Sequence, residues 1–584
     1  MSINVLGIND GHPSSICLIR DGKVLYAAME ERFDRIKNSV NFPILSIKNC
    51  LSYTNTKPEE IDLIAFSSKD IDPIDLNKLA ENKQDTRLTV LSFSYISSFL
   101  PISAVDKLCI VGSKIRSLIK MKRYFFEYKN QLEKLGLKNA KVIFYDHHTV
   151  HAATAYYFKQ EKPKKVLIFT CDGEGDGLCA TVCIGEKNEI KREVEIPFFH
   201  SIGKMYNEVT WYLGLKPWEH EYKVMGLAPY SDEKHAKKTW SVFKKMVVID
   251  KKDKRKFKNN THKWAHTYGL LLKKKLYKHR FDSVAYSIQK LTEEILTKWV
   301  KNNIEYYGIN DVMLSGGVFM NVKANQKIME MPCVNSIFVV PSCGDESSAI
   351  GAAILGYIDV CRENGIKPNF DSIRDLYLGP DFNENIENSI KNISRIKYKI
   401  EYYDEIEDKV ANIIKNGGIV ARCSDRMEFG ARALGNRSIL ADPSDLRVLR
   451  EINQQIKQRD FWMPFAPVIL RERAKDYIIQ TKNSNDQYMI LSFDSTPLAQ
   501  KEIIATLHQF DLTCRPQVLD KDWNESYYEI IKSFERITGI GALLNTSFNL
   551  HGEPIVCTPK DAISTLERSG LKYLILGNYL ISKK

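Results

Sequence analysis

Short apolar runs and short polar turns alternate at the start of the chain, in the order "NVLGIN", "DGHPSS", "ICLI", "RDGK" and "VLYAAM". Runs this short, bounded by Gly, Asp and Pro, predict three buried strands joined first by a tight polar turn and then by an Asp-Gly hairpin. Residues 164–196, "KKVLIFTCDGEGDGLCATVCIGEKNEIKREVEI", follow the same plan. A strand again ends in a glycine loop containing Asp, and a second strand, a turn and a third strand follow. Two copies of one plan, about 165 residues apart, predict an internal duplication.

Such a duplication is the layout of the two-lobed actin-like and sugar-kinase-like α/β fold, in which the two first hairpins face a nucleotide cleft. Glycine in both turns lets backbone amides approach a phosphate closely, although two unrelated meanders would also carry glycine turns. Further on, "DVMLSGGVFMNVKANQKI" (311–328) and "IFVVPSCGDESSAIGAAILGY" (337–357) each read as strand, loop and helix. A helix N-terminus aimed at such a loop is where anions and nucleotides bind in α/β folds. The polar stretch 362–392 then predicts a domain edge near residue 385. This divides the chain into 1–385 and 386–584. Beyond it arginines crowd "GGIVARCSDRMEFGARALGNRSILADP" (417–443), with Lys457 and Arg459 shortly after. Arg426, Arg432, Arg437, Lys457 and Arg459 near glycines suit a pocket for a phosphate-rich ligand.

In "DHHTVHAATAYYF" (146–158) three histidines occupy five positions. On a helix His147 and His151 share a face and His148 is rotated off it. Two imidazoles on one face can clasp a metal if an acidic ligand arrives from elsewhere, and Asp345 at the loop-helix junction is a candidate. The same residues also suit a polar helix start and an N-cap. A chain of 584 residues with 44% hydrophobic and 27% charged residues is ordinary globular material. Its +12 formal charge lies largely in runs such as "KKDKRKFKNNTHK" (251–263), which read as solvated faces, so nucleic acid is not the expected partner. The 12 cysteines show no CxxC pair, and Cys17, Cys171, Cys179 and Cys183 fall on apolar runs as buried thiols. No stretch reaches the ~18 apolar residues of a membrane span and no signal core opens the chain, so the expected location is the cytoplasm.

The strings "GINDGHPSS", "MEERFDRIKN", "DHHTVHAA", "CDGEGDG", "EYKVMGLAPY", "LSGGVFMN", "CGDESSAIGAA", "DRMEFGARALGNRSILADP", "MPFAP" and "LNTSFNLHGEPIVCTPKDA" occur in this order along nearly the whole chain. Together they resemble the ATP-dependent O-carbamoyltransferases of antibiotic, nodulation-factor and toxin biosynthesis. The resemblance implies an N-terminal metal-binding actin-like domain similar to the tRNA threonylcarbamoyl transferase subunit. It also implies a C-terminal α/β domain similar to threonylcarbamoyl-adenylate synthase (YrdC-like). Carbamoyl phosphate and ATP, with Mg2+, would give carbamoyl adenylate in the C-terminal domain. The N-terminal domain would then pass the carbamoyl group to a hydroxyl of a small-molecule natural product and release AMP. Because a mixed anhydride of this kind hydrolyses readily, a sheltered path between the two sites is expected.

Residue by residue, the resemblance gives His147, His151, Asp172 and Asp345 as ligands of a divalent ion of the Fe2+ kind. His12 would be the base or orienting group for the acceptor hydroxyl, because imidazole titrates near neutrality, with Asp10 capping its turn. Gly173, Gly175, Gly316, Gly317, Asn321 and Gly344 would cradle the nucleotide. Arg426, Arg432, Arg437 and Lys457 would hold carbamoyl phosphate and the ATP phosphates, with Ser547, Asn545, Asn549 and Arg515 around them. A homodimer is compatible with the family. Two departures stand out: "DLT" replaces the usual "DGT", so that Leu512 predicts a different local turn, and Ser347 and Ser348 follow Asp345 where glycine is common. The segment 199–226, with Tyr206, Trp211, Trp218 and His220, has the aromatic and polar groups of an acceptor pocket, but its aromatics also suit a core. Two other readings remain at this level: a small-molecule kinase of the same fold, and a basic RNA-binding accessory protein of tRNA modification.

Overall fold

The computed structural model describes residues 2–70, 101–159, 161–264, 268–391, 393–457, 459–482 and 484–584. The chain forms two compact units. The first holds Met1–Ala27, Asn38–Arg374 and Lys482–Ser484, and the second holds Ala28–Lys37, Asp375–Thr481 and Asn485–Lys584.

In the first unit, β1 (Asn4–Asn9), β2 (Ser15–Arg20) and β3 (Lys23–Met29) are followed by β4 (Leu63–Phe66) and β5 (Lys141–Phe144). They form one sheet in the order β3-β2-β1-β4-β5. β1 runs antiparallel to β2 and parallel to β4, which is parallel to β5. The turn between β2 and β3 has Asp21 and Gly22 both at positive φ, as a two-residue hairpin requires. The plan then recurs. β6 (Lys165–Gly175), β7 (Leu178–Glu186) and β8 (Glu189–Pro197) form an antiparallel meander. A small ribbon of β9 (Val247–Ile249) and β10 (Phe257–Asn259) follows. Then β11 (Asp311–Ser315) and β12 (Ser336–Val339) add parallel strands on the β6 side, in the order β12-β11-β6-β7-β8. The two five-stranded sheets therefore have one topology, and the unit is a duplicated, two-lobed actin-like α/β fold.

One helix packs between the first sheet and the helix that carries the three histidines. Ser348–Glu363 begins "SAIGAA", and its small residues allow a backbone-to-backbone approach. A Cβ placed on Gly7 of β1 would lie 2.0 Å from the Ala349 carbonyl oxygen, and one on Gly351 would lie 2.3 Å from Thr154 Oγ1 and the Val150 carbonyl oxygen. This helix therefore lies hard against both β1 and the helix His147–Tyr157, and it carries Asp345 immediately ahead of its first turn.

The second unit is α/β as well. Its strands are β13 (Tyr398–Tyr402), β14 (Val420–Cys423), β15 (Arg437–Ala441), β16 (Ala466–Leu470), the pair β17 (Ile478–Ile479) and β18 (Asp494–Ser495), β19 (Gln517–Leu519), β20 (Ala542–Ser547), β21 (Tyr573–Leu576) and β22 (Tyr579–Lys583). Eight of them form a mixed sheet, β13-β22-β21-β14-β15-β20-β16-β19. Ala421, Cys423, Ile439 and Ala441 point into one apolar layer while Val420 and Leu440 point into another. The period of two thus buries both faces, and the strands read as continuous hydrophobic runs. The early segment Ala28–Lys37 is part of this unit: Arg32 Nη2 donates to the Gly430 carbonyl oxygen at 2.6 Å and Arg35 Nη1 to that of Ile555 at 2.7 Å. Among the described residues no helix is long and apolar enough to cross a membrane.

The close approach at Gly351 has a measurable consequence. Gly351→Ala should cost about 1–3 kcal/mol by overpacking and lower the melting temperature in calorimetry. An unchanged melting temperature would contradict the contact.

Candidate functional site

The helix His147–Tyr157 starts where it does because Asp146 caps it, accepting from the Thr149 amide at 2.9 Å. One turn apart, His147 and His151 bring their Nε2 atoms to 3.1 Å from each other. β6 delivers Asp172 and the loop before Ser348–Glu363 delivers Asp345. His151 Nε2 lies 3.3 Å from Asp172 Oδ2 and 3.2 Å from Asp345 Oδ1, and His147 Nε2 lies 3.5 Å from Asp345 Oδ1. One ligand atom from each of the four residues falls within 4.8 Å of the others, with the imidazoles buried and the carboxylates partly exposed. Burial opposes protonation of His147, yet the neighbouring Asp345 and Asp172 carboxylates raise its pKa to about 10. Asp345 is pushed up by burial and by the Asp172 charge, while the two imidazoles hold Asp172 well below the usual carboxylate range in spite of burial. Two carboxylates and two imidazole nitrogens converging on one point fit a divalent cation.

The surroundings fix these ligands. His151 Nδ1 lies 3.2 Å from Ser315 Oγ, and the Gly317 amide donates to Asp172 Oδ2 at 2.9 Å. His148 points away from the cluster, 2.8 Å from Thr170 Oγ1, and burial, followed by the His147 charge, drives its pKa down to about 3, so it is neutral. A cleft with about 450 Å³ of empty space, open to solvent, has His147, Asp345, Asp10 and Gly11 in its wall, which sets the turn bearing His12 beside the cluster.

Several residues expected to cradle phosphates have structural reasons of their own. A Cβ at Gly175 would lie 2.1 Å from His147 Cδ2, so this glycine is the floor beneath that ring. Gly316, at φ +102°, lies against the Cys171 carbonyl, where a Cβ would come to 2.3 Å, and a Cβ at Gly344 would lie 2.5 Å from the Glu346 carboxylate. Gly317 and Gly173 both donate an amide to Asp172. Asn321 caps the helix Val322–Met329 and pairs with Gln289. Ser347 and Ser348 are buried, and Ser347 Oγ turns back to the Gly344 carbonyl oxygen at 3.0 Å. In the aromatic segment, Tyr206 is a core residue bonded to Gln289, whereas Trp218 lies under Lys204 Nζ at 3.8 Å from its ring centroid.

The sequence reading missed Lys120 and Arg116 on the helix Ile102–Arg123. Lys120 Nζ pairs with Asp10 at 2.8 Å, and Arg116 Nη2 with Asp70 at 3.1 Å and Glu174 at 3.0 Å. Their i, i+4 spacing, which puts two cations on one helix face, was the available signal.

In the second unit Lys457 reaches the "NTSFN" loop. Its Nζ donates to the Ser547 carbonyl oxygen, to Ser547 Oγ at 3.1 Å, and to the Asn549 carbonyl and Oδ1 oxygens at 3.0 and 2.6 Å. Burial, with Arg459 and Lys37 nearby, pushes its pKa well below the usual lysine value. Arg515 is likewise driven down by burial and by the Arg432 and Arg459 charges, and its Nη1 donates to the Met489 carbonyl oxygen at 3.4 Å. Asn545 donates to the Ala433 carbonyl oxygen at 3.0 Å, and its own Oδ1 is buried without a partner. Cations gathered against each other in this way repel, and an anion between them would relieve that repulsion.

Two of the expected phosphate cations are used otherwise. Buried Arg437 donates to the carbonyl oxygens of Cys557, Ser424, Asp425 and Asn436, and Arg426 to those of Gly379 and Leu378, so both brace loops. Glu428 does the same for the arginine-rich loop, accepting from the amides of Leu434, Asn436 and Arg437 at 2.8, 2.9 and 3.0 Å. Leu512 sits in an unusual backbone conformation. Its φ of +56° is the left-handed conformation that glycine adopts most easily, so the leucine carries strain in this turn.

Comparison with known proteins matches residues 4–354 to the family description "Carbamoyltransferase N-terminus" and residues 411–583 to "Carbamoyltransferase C-terminus". An uncharacterized protein of Methanocaldococcus jannaschii is 33% identical over 99% of both chains. Nodulation protein NolNO of Sinorhizobium fredii is 31% identical over 98% of this chain and 79% of its own. Among solved structures, (R)-2-hydroxyglutaryl-CoA dehydratase component A of Acidaminococcus fermentans aligns with 60% of this chain and 97% of its own, at 15% identity and a TM-score of 0.32. With both family halves matched in order along one chain, this protein belongs to the carbamoyltransferase family.

Proposed function

We propose that the protein is an ATP-dependent O-carbamoyltransferase that makes carbamoyl adenylate in its second unit and passes the carbamoyl group to a hydroxyl of a small natural product in its first. In the activation step, water would release phosphate from carbamoyl phosphate. An oxygen of the resulting carbamate would then attack the α-phosphorus of ATP, expelling pyrophosphate. Arg432, Arg515 and Lys457 would hold the phosphates and offset the charge that grows on the leaving groups, with Asn545, Ser547 and Asn549 fixing the substrate polar groups. Arg426 and Arg437 would shape that pocket rather than touch the substrate.

In the transfer step the acceptor hydroxyl would attack the carbamoyl carbon, the bond from that carbon to the phosphate-linked oxygen would break, and AMP would leave. His12 would take the hydroxyl proton. His147, His151, Asp172 and Asp345 would hold a divalent ion, of the Fe2+ kind, which supplies Lewis acidity toward the carbamoyl oxygen when bound. The observation that carries this reading is the presence, in a chain of this family, of two unlike polar centres: the histidine-carboxylate cluster and the buried Lys457 and Arg515 cations. A kinase reading is disfavoured by Asp10, whose carboxylate is tied up by Lys120 rather than left for a metal-nucleotide complex.

Product analysis separates the two activities. AMP that appears only when carbamoyl phosphate is supplied supports the proposal, and ADP would overturn it. His147→Ala or His151→Ala should reduce transfer about 100-fold or more while carbamoyl-phosphate-dependent AMP formation stays measurable. Loss of both half-reactions in a folded variant would contradict the division of labour. Conversely, Arg515→Met or Lys457→Met should slow AMP formation by about 10²–10³-fold, measured as pyrophosphate release. A rate within a few-fold of the parent would remove these cations from the mechanism.

A further inference from the structure

The turn between β6 and β7 holds a carboxylate that has no part in the chemistry above. Asp176 sits at φ +47°, a conformation that Asp tolerates better than most residues. Its two oxygens collect donors from two separate parts of the first unit. Oδ1 accepts from Ser68 Oγ at 3.0 Å, from the Lys69 amide at 3.1 Å and from the Asp70 amide at 2.7 Å, all just past the end of β4. Oδ2 accepts from the Lys69 amide at 3.2 Å and from the His147 amide at 2.7 Å. The amide of a first helical residue has no partner inside its own helix, so this bond occupies an orphan donor. The preceding residue, Gly175, is the floor against which the His147 ring lies. A single turn of the second lobe thus grips His147 by both its backbone and its ring, and it ties that grip to the end of a first-lobe strand.

We propose that Asp176 is a positioning residue that sets the depth and orientation of His147 in the cation centre, and that it latches this histidine to the end of β4. The proposal relies on the reading of His147, His151, Asp172 and Asp345 as ligands of a divalent ion. Asp176→Asn keeps the size of the side chain and its tolerance for positive φ. It also puts an NH2 group where one of the accepting oxygens stood, facing either the His147 amide or the β4 amides.

The test is a Co2+ titration of the full chain, followed by visible absorption. The dissociation constant should rise about 10- to 100-fold in Asp176→Asn, the cost usual for outer-shell partners, with a changed absorption band. An unaltered constant and spectrum in a variant with native near-ultraviolet circular dichroism would overturn the proposal. A second measurement needs no substitution. In the parent protein the His147 amide should exchange with deuterium as slowly as amides in the second turn of its helix, and exchange at the rate of an open amide would also overturn it. Failure of the parent protein to take up Co2+ would instead sink the cation-centre reading, while amide protection would still decide whether the Asp176 latch exists.

Discussion

Two carboxylates, Asp172 and Asp345, meet beside two buried imidazoles, and this confrontation is the constraint on which the first unit is organised. Like charges brought this close in a partly buried place are costly unless a cation or protons compensate them; the raised pKa of Asp345 expresses that cost, while the two imidazoles hold Asp172 down. The three elements that deliver the ligands are accordingly packed at their closest. β6 brings Asp172, the small-residue helix Ser348–Glu363 brings Asp345, and the helix His147–Tyr157 presents its histidines against Gly175. Close packing keeps the four ligand atoms in one place.

The second unit poses the opposite problem. Lys457 and Arg515 are buried cations, and among the described residues no carboxylate pairs with either. Arg437 is equally buried, and its Nε and Nη1 donate to carbonyl oxygens. Lys457 also rests on protein oxygens, those of Ser547 and Asn549, but neutral oxygens leave the net charge of Lys457 and Arg515 uncompensated.

Much of the fold could be read from hydrophobic periodicity and turn chemistry. The repeated meanders, with Asp-Gly turns between apolar runs, pointed to duplicated lobes, because strand runs and positive-φ turns are local properties. The i, i+4 spacing separated His147 and His151 from His148 for the same reason. The roles of individual glycines and arginines were not legible in this way. Gly175 lies beneath a ring that precedes it by 28 positions, and Arg437 is spent on carbonyls as distant in sequence as that of Cys557. "GxG" and "Arg near Gly" look alike in sequence whether they face a phosphate or a neighbouring side chain.

By itself, then, the order of residues determined the strands, the turns, the pairing of His147 with His151 on one helical face and membership of the family, all carried by local patterns or by strings that match as strings. Only the tertiary structure decided that "MEERFDRIKN" contributes to the second unit, that Lys120 neutralises Asp10, that Leu512 takes a glycine conformation and that Asp176 holds His147. Each of these depends on which atoms meet after the chain has closed on itself. Contacts between residues about 30 to 520 positions apart leave no periodic trace in a single sequence.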